Sequence, residues 1–292
     1  MDYALRKGLL VPKRRMLNPK RSWLPHAYII VSRHRAFQPA HFPLAPQHTS
    51  VFGYIQGNFH ENGAPSVNTC AVTLGAAIGT GQLACVSFGF ANSTGVIDVV
   101  TCADDQGNSY TSSDSIFVGG GVGYQWNTFY KEGLSNGPQT VTGTSVNNPH
   151  SFMAIFVDVY SGVSISAAID GHTGQFQSVN NGTDAVTSGP ITTTINGDLV
   201  YGSCVCIDSQ GISSAGTGFT IRQNNVDTSF STEDLTQTTA GSIAATFTGV
   251  SPIARSYMTT VMAFKPSAPT TVLQVISNPQ DDSWARTTMT AY

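Results

Sequence analysis

The chain has 292 residues and a formal net charge of −3, a length that suits one large domain or two small ones. Only 11% of the residues are charged, against about 25% in an average globular protein. Glu, Lys and Leu are therefore too sparse for a helical fold, whereas a body of roughly 200 residues buries enough apolar surface to fold without disulfides or metals.

The first 50 residues differ from the rest in charge. They contain nine of the 14 basic residues and one acid, Asp2, which gives a formal charge near +8; the remaining 5 basic and 16 acidic residues give about −11. Six prolines between Pro12 and Pro46 disfavour a long helix and favour an extended arm. Such an arm is either a solvated tail or a segment that binds an acidic partner.

We expect the arm to bind a protein surface rather than nucleic acid. Arg and aromatic residues are enriched at protein interfaces, and the acidic remainder of the chain would repel nucleic acid. The predicted partner-binding residues are the basic side chains of the arm and one tryptophan: Arg6, Lys7, Lys13, Arg14, Arg15, Lys20, Arg21, Trp23, Arg33 and Arg35.

The cysteines form an odd set without regular spacing: Cys70, Cys85, Cys102, Cys204 and Cys206. Such a set does not make a disulfide framework, and no nearby His or second Cys pair completes a zinc site. We predict buried free thiols, which suit synthesis in a reducing cytoplasm. No signal-peptide core and no run of about 20 apolar residues is recognisable, so we expect neither export nor a membrane span.

Strand-like runs recur between residues 51 and 266, separated by turns such as Asn136-Gly137 and Asn196-Gly197. Gly and Asn reach the positive φ angles that hairpin turns need, and no segment shows an apolar period of about 3.6 residues. In chain order, the predicted strands are 82–90, 96–102, 123–130, 139–144, 152–160, 198–207, 218–223, 241–248 and 256–264.

This pattern predicts an all-β fold, an antiparallel two-sheet sandwich of jelly-roll or concanavalin type with an extended N-terminal arm. The predicted division is an arm at 1–50, the β-sandwich at 51–266 and a C-terminal tail at 267–292, with one further strand candidate at 271–276. Both faces of residues 152–160 are apolar, which indicates a central strand. Ile97 and Val99 alternate with Asp98, which is typical of a half-exposed strand.

Three segments carry residue types found in functional sites. The oxygen-rich turn Asp104–Asn108 suits either a calcium site or a plain Asx turn, and the absence of a closing Glu favours the turn. Asp170-Gly171-His172, with Ser166 nearby, has no Gly-x-Ser-x-Gly elbow, so we expect no catalytic triad. Glu233 and Asp234 should point to opposite faces of a strand, so they cannot flank one glycosidic bond.

A series of turns and strand ends follows a recognisable order. Its members are Asp105–Tyr110, an aromatic strand at Trp126–Tyr130, Val157–Val163, Asn196–Val200, Gly216–Arg222, the Glu233-Asp234 segment and Met262–Pro266. In this order they resemble a group of jelly-roll-like β-sandwich domains found in tailed-phage structural proteins and bacterial surface proteins. The resemblance spans roughly residues 68–266; it implies a fold and an assembly role, and it brings no catalytic residues with it.

We therefore expect a non-enzymatic virion protein of a tailed phage, either a capsid decoration (cement) subunit or a tail or fibre-base subunit. Its expected partners are other virion proteins, further copies of itself and a host surface glycan, without membrane, nucleic acid, metal or cofactor. The alternative is a carbohydrate-binding or adhesin-like module. Its candidate sugar-stacking residues are Trp126, Phe129, Tyr130 and Tyr160, which by residue type are more often core.

Overall fold

The structure is a computed structural model that describes residues 3–6, 9–12, 52–64, 66–92, 95–119, 123–147, 149–150, 152–179, 185–208, 212–225, 229–249 and 255–268. The chain divides into two compact units, residues 1–45 and 46–292. In the first unit, β1 (Tyr3–Arg6) pairs antiparallel with β2 (Leu9–Pro12). Within the described ranges all regular structure is β, and no helix is long and apolar enough to span a membrane.

The second unit contains two successive sets of strands. The first set is β3 (Gly53–Asn62), β4 (Thr69–Thr73), β5 (Gln82–Asn92), β6 (Val100–Asp104), β7 (Thr111–Val118), β8 (Gly123–Leu134), β9 (Thr140–Ser145) and β10 (Met153–Ser161). The second set is β11 (Ile169–Val179), β12 (Ala185–Thr187), β13 (Ile191–Thr192), β14 (Asp198–Cys206), β15 (Ile212–Ala215), β16 (Thr220–Asn225), β17 (Phe230–Gln237), β18 (Ser242–Ile243), β19 (Thr246–Gly249) and β20 (Arg255–Phe264).

The two sets have the same antiparallel topology. In the first, a five-stranded sheet has the order β3-β10-β5-β8-β7 and a three-stranded sheet has the order β4-β9-β6. In the second, the corresponding orders are β11-β20-β14-β17-β16 and β12-β19-β15, with an added pair β13-β18. The first strand of each set pairs with the last, which is the jelly-roll arrangement. We name the sets roll 1 (β3–β10) and roll 2 (β11–β20).

Each roll has its own apolar core between its larger and smaller sheets. In roll 1, Phe88 of β5 and Val157 of β10 pack in one cluster with Val141 of β9. A Cβ atom added to Gly143 of β9 would lie 2.6 Å from the Phe88 ring, so this close approach requires glycine. In roll 2, Val200 and Val261 lie in a cluster with Phe247 of β19.

The opposite faces of the two five-stranded sheets pack against each other. We name this contact the seam. One cluster joins Leu83 and Tyr160 of roll 1 to Phe264 of roll 2, and a second joins Trp126 of roll 1 to Phe230 of roll 2. The rolls are therefore layered as small sheet, large sheet, large sheet, small sheet, and the central β10 is apolar on both faces because it faces a core and the seam.

The strands of both rolls run along a common direction. Gly53 pairs with Ser161, Ile169 pairs with Phe264, and the Ser267 N–H donates to the Gly162 carbonyl at 2.8 Å. We name this end of the body the foot, and the opposite end, where β5 finishes and β20 begins, the head. The body is therefore entered at residue 52 and left at residue 268 at the same end.

The strand order confirms the jelly-roll prediction, and it shows the roll twice. Most predicted strands match observed ones within a few residues, such as 152–160 with β10 and 256–264 with β20. The proposed boundaries at 50/51 and 266/267 stay predictions, and the strand candidate at 271–276 lies outside the described residues.

The prediction for residues 96–100 is wrong. Ile97 and Val99 are 59% and 57% exposed, Asp98 is 5% exposed, and β6 begins only at Val100. The faces are reversed because Asp98 accepts hydrogen bonds from the side chains of Asn147, at 2.9 Å, and Ser145. A carboxylate with such donors can be buried, and here its position turns the neighbouring aliphatic side chains outward.

Candidate functional site

Hydrogen bonds and ring contacts join the two rolls across the seam. The Ser87 and Tyr201 hydroxyls lie 3.1 Å apart across it, and the Trp126 indole N–H donates to Ser203 Oγ at 3.2 Å. The Trp126 and Phe230 rings stack with centroids 5.3 Å apart. These contacts pair polar groups within an apolar interface, so the two rolls are held in one relative orientation.

An ion pair between Arg222 and Asp234 lies beside the apolar clusters of the seam. Arg222 of roll 2 forms two hydrogen bonds with Asp234, at 2.6 and 2.9 Å, and its guanidinium lies 4.5 Å from the ring centroid of Tyr54 in roll 1. Gln223 donates to Asp158 Oδ1 at 2.9 Å across the seam. Burial raises the pKa of Asp158 to about 6, although hydrogen bonding from Gln223 favours the ionised form.

The edges of the two large sheets meet at opposite sides of the seam. His172 Nδ1 of β11 lies 3.1 Å from Asp114 Oδ2 of β7, and Asn225 of β16 donates to Glu61 of β3 at 2.8 Å. The last strand in the order of each large sheet, β7 or β16, thus lies beside the first strand of the other sheet, an approximate two-fold arrangement. His172 bonds to Asp114 and not to its sequence neighbour Asp170.

A cavity of about 230 Å³ lies at the seam among residues from the head-end portions of the strands. Aromatic rings contribute much of its wall, and the thioether of Met258 adds a further apolar group. Its lining residues are Phe90, Ala91, Tyr124, Gln125, Trp126, Phe152, Val205, Cys206, Ile207, Phe230 and Met258.

The four aromatic residues predicted as sugar-stacking candidates do not form an exposed platform. Trp126, Phe129 and Tyr160 are 1%, 2% and 1% exposed, respectively. Tyr130 is half-buried, and its ring meets Phe264 edge-on with centroids 5.4 Å apart. Of the four, only Trp126 reaches the cavity wall.

A buried polar cluster at the head of roll 1 was not predicted. His150 Nε2 lies 3.0 Å from Ser145 Oγ and 3.3 Å from Asp98 Oδ2, and its ring stacks on Phe90 at 4.1 Å. Although these are triad residue types, Ser and Asp both approach the same ring nitrogen, so the relay order of a hydrolase is not formed. The sequence feature that could have indicated this cluster is Asp98, an acid between the aliphatic residues Ile97 and Val99.

The remaining candidate acids have internal hydrogen-bond partners. Asp104 accepts from the N–H groups of Gln106 and Asn108, both at 3.0 Å, and from the Asn108 side chain, so the turn is an Asx turn. Glu233 and Asp234 do point to opposite faces, since Glu233 accepts from the N–H groups of Gly216 and Thr246 at 2.9 and 3.1 Å. Burial raises the pKa of Glu233 to about 8.

Nine of the ten predicted arm residues lie outside the described residues. Arg6 is the last residue of β1; Lys7, Lys13, Arg14, Arg15, Lys20, Arg21, Trp23, Arg33 and Arg35 lie outside the described residues, so their role stays a prediction. The five cysteines are buried free thiols. Within the described ranges, no three His, Cys, Asp or Glu side chains are grouped as metal ligands.

No family model and no curated protein matches the chain. Among solved structures, the chain is similar to the crystal structure of the STIV MCP, with 7% identity, a TM-score of 0.23, and coverage of 74% of this chain and 96% of that chain. It is also similar to the crystal structure of mavirus major capsid protein, with 8% identity, a TM-score of 0.24, and coverage of 86% and 94%. TM-scores this low carry no argument, so the fold assignment rests on the strand order described above.

Proposed function

We propose that this chain is a non-enzymatic structural subunit of a virion, which acts by assembling with copies of itself and with other virion proteins. The observation that carries the proposal is the tandem jelly roll joined by a bonded seam. Jelly rolls occur in viral capsid and lectin domains. Because a fold alone does not define a function, the rigidity and the charge of this body also bear on the proposal.

Rigidity supports an assembly role. Domains in one chain move relative to each other unless their interface is large and apolar. Here two apolar clusters, the Trp126–Phe230 stack and the Ser87–Tyr201 hydrogen bond all cross the seam. A subunit that keeps one shape can repeat the same contacts many times in a particle.

The positions of residues 52 and 268 support an arm-based anchor. Residues 52 and 268 both lie at the foot, so the arm at 1–50 and the tail at 267–292 join the body at one end. The arm can engage neighbouring subunits there while the head faces away from them. An extended arm with Arg and aromatic anchors suits a groove or sheet edge on another protein.

Burial reduces the acidity that the body presents to such an arm. Several of its acids are buried, so the surface charge is smaller in magnitude than the formal value near −11. These acids are Asp98, Asp104, Asp158, Asp198, Glu233 and Asp234. The basic arm therefore docks on a local acidic patch of its partner, and not through a general attraction between arm and body.

Three positions in a virion follow from this proposal. The resemblance of the sequence favours capsid decoration, or the tail or fibre base, of a tailed phage. The tandem rolls also favour the shell itself, because one chain then supplies two equivalent building units.

An assembly experiment tests the proposal and separates these positions. The purified full chain, a variant lacking residues 1–50, and the variant Arg14→Gln with Arg15→Gln should be compared by analytical ultracentrifugation and electron microscopy. A shell subunit forms large particles or sheets by itself, whereas a decoration or tail subunit binds only to preformed particles. Arm deletion should abolish assembly and leave a folded body, and Lys131→Gln is the matched control. A full chain that neither self-assembles nor joins particles contradicts the proposal.

The carbohydrate-binding alternative rests on the cavity at the head end of the seam. Its aromatic wall is a candidate sugar surface, with Tyr124 and Phe152 only partly buried. A glycan array with the wild-type chain and Tyr124→Ala tests it. Binding that is lost in Tyr124→Ala favours the alternative.

A further inference from the structure

Three polar side chains meet at the foot of roll 2, where its first and last strands pair. Asp170 is the extra residue of a β-bulge between Ile169 and Gly171 in β11. Lys265 directly follows β20, and its Nζ lies 3.5 Å from Asp170 Oδ1. Asp198, the first residue of β14, is fully buried. The group therefore lies where the chain enters and leaves the roll.

The environment of Asp170 is defined by Thr194. The Thr194 N–H donates to one carboxyl oxygen of Asp170, and the Thr194 hydroxyl donates to the other at 2.6 Å. The Asp170 side chain is only 3% exposed, whereas the Lys265 side chain is 32% exposed. Burial opposes ionisation of Asp170, but the bonds from Thr194 lower the pKa of this carboxyl below its usual value.

Asp198 supplies the third group, a carboxylic acid. Burial, together with the hydrogen bond to Asp170 and the charge of Asp170, raises the pKa of Asp198 to about 7. Within the described residues, its two oxygens accept no hydrogen bond from a donor group. A hydrogen bond between the carboxyl groups of Asp170 and Asp198 needs a proton on one of them, and the raised pKa of Asp198 favours that residue as the donor.

We propose that Lys265 and Asp170 condense to form an intramolecular amide bond that joins the first and last strands of roll 2. The ion pair places Lys265 Nζ 3.5 Å from Oδ1 of Asp170, so the nitrogen lies beside the carboxyl group whose carbon it would attack. The Thr194 N–H donates to the carboxyl oxygen on which negative charge develops during attack, and the Thr194 hydroxyl orients the other oxygen. Asp198 is an adjacent acid that can pass a proton to the departing oxygen.

The reaction balances without an external reagent. The Lys265 ammonium first gives a proton to the Asp170 carboxylate. The neutral amine then attacks Cγ of Asp170, a C–N bond forms, and the Thr194 N–H holds the oxyanion. Asp198 protonates the other oxygen, the C–O bond breaks, and water leaves, while the excess proton on nitrogen returns to Asp198. The products are one neutral amide and one water, formed from an ion pair of zero net charge.

Such a bond would close a covalent loop across roll 2. All five cysteines are free, so no disulfide performs this task. A cross-link between distant positions stabilises a fold by restricting the unfolded chain. Because the proposal concerns one roll and needs no partner, it does not depend on the proposed virion role.

The mass of the denatured full chain tests the proposal. Wild type collected immediately after synthesis under denaturing conditions should have the full sequence mass. After folding it should lack one water, and trypsin should release residues 132–222 joined to residues 256–286. Folded wild type that keeps its full mass, or that yields these two peptides separately, overturns the proposal.

Variants identify the reacting atoms. Lys265→Arg preserves the positive charge but lacks a primary amine, so it should keep the full mass, while the matched control Lys131→Arg should still lose one water. Asp170→Asn should lose ammonia instead of water, since its leaving group is an amide nitrogen. Asp198→Asn should greatly slow the mass change. Loss of water in Lys265→Arg would show that other residues react and would contradict the assignment.

Discussion

Roll 1 and roll 2 share a strand order but bury acids in different ways. At the outer loops of roll 1, Asp98 is held by Ser145 and Asn147, and Asp104 is held by Asn108. In roll 2, Asp198 and Glu233 lie in positions where burial raises the pKa to about 7 and about 8. Side-chain donors surround these two acids of roll 1, whereas burial favours the protonated form of Asp198 and Glu233 in roll 2. Both devices occur more widely, since Thr194 and Arg222 donate to Asp170 and Asp234 of roll 2.

The same strand topology thus accommodates a buried acid in two ways, as a carboxylate with donors or as a neutral carboxylic acid. A buried carboxylate is costly unless donors surround it, and an acid without enough donors becomes neutral instead. Where donors surround a carboxylate, removing the acid destabilises the fold because the buried donors lose their partner. The second arrangement, a neutral acid, is sensitive to pH, because the folded state holds a proton that the unfolded chain releases.

The largest effect is expected at Glu233 of roll 2. Its folded pKa of about 8 lies above the ordinary value of 4.5, so the folded state binds the proton more tightly and stability falls as the pH rises from 4.5 to about 8. At about 1.4 kcal/mol per pKa unit, the loss by pH 9 is on the order of 5 kcal/mol. Glu233→Gln should remove this pH dependence, although it should cost about 1–2 kcal/mol at pH 5 by losing one acceptor.

Urea unfolding of both proteins at pH 5, 7 and 9 measures the difference. Asp105→Asn, in an exposed turn, is the control and should follow the wild-type pH dependence. Parallel curves for wild type and Glu233→Gln would show that Glu233 is ionised throughout, and the contrast between the rolls would then be wrong.

The next effect is expected at Asp98 of roll 1. Asp98→Ala should lower the free energy of unfolding by about 4 kcal/mol, because the buried groups of Ser145 and His150 lose a partner. Asp98→Asn keeps the shape and one acceptor, so it should cost less. Chemical denaturation at pH 7 measures both variants, and equal costs would show that the donors around Asp98 do not need a carboxylate.

Asp158, at the seam between the rolls, should behave like the acids of roll 2 on a smaller scale. Burial raises its pKa from 3.8 to about 6, so stability should fall between those values of pH by about 3 kcal/mol. Asp158→Asn should abolish this part of the pH dependence. Thermal unfolding of wild type and Asp158→Asn at pH 4 and pH 7 tests the expectation. If the loss of stability from pH 4 to pH 7 is the same in both proteins, the expectation is wrong.

The smallest effect is expected outside both cores. Ile97 and Val99 are more than half exposed, so Ile97→Ser should change the free energy of unfolding by no more than about 0.5 kcal/mol. Val157→Ser, at a fully buried position of β10, is the contrasting variant and should be severely destabilising. A large loss of stability in Ile97→Ser would show that this loop supports roll 1.

Most central strands of the two large sheets were predicted from the sequence, but β17 was not; of their four edge strands only β16 was predicted, as residues 218–223. β10 and β20 are apolar on consecutive residues because they are buried on both faces, which makes a strong signal. β3, β7 and β11 lie at sheet edges and contain Asn, Gln, Ser and His residues that bond across the seam or to neighbouring loops. Their composition resembles that of loops, so periodicity alone misses them.

The repeat of the jelly roll was also hidden from sequence reasoning. The two rolls differ in the chemistry of their seam-facing residues; for example, β10 contributes Phe156 to the seam cluster and β20 contributes Met258. Pairing of a first strand with a last strand depends on contacts about 100 residues apart, which local patterns do not encode. The polar clusters at Asp98 and Asp170 were missed for the same reason, since their partners come from other strands and loops.

Pairing of each first strand with its last also sets an order of events during synthesis. Roll 1 can close once residue 161 has left the ribosome, but Trp126 and Phe156 then remain uncovered until Met258 of β20 arrives. At 5–20 residues per second, a nascent chain carries this open apolar sheet face for on the order of ten seconds. Recovery of soluble protein should therefore depend on what shields that face in the interval, and a holdase chaperone should bind the ribosome-bound half-chain better than the finished one.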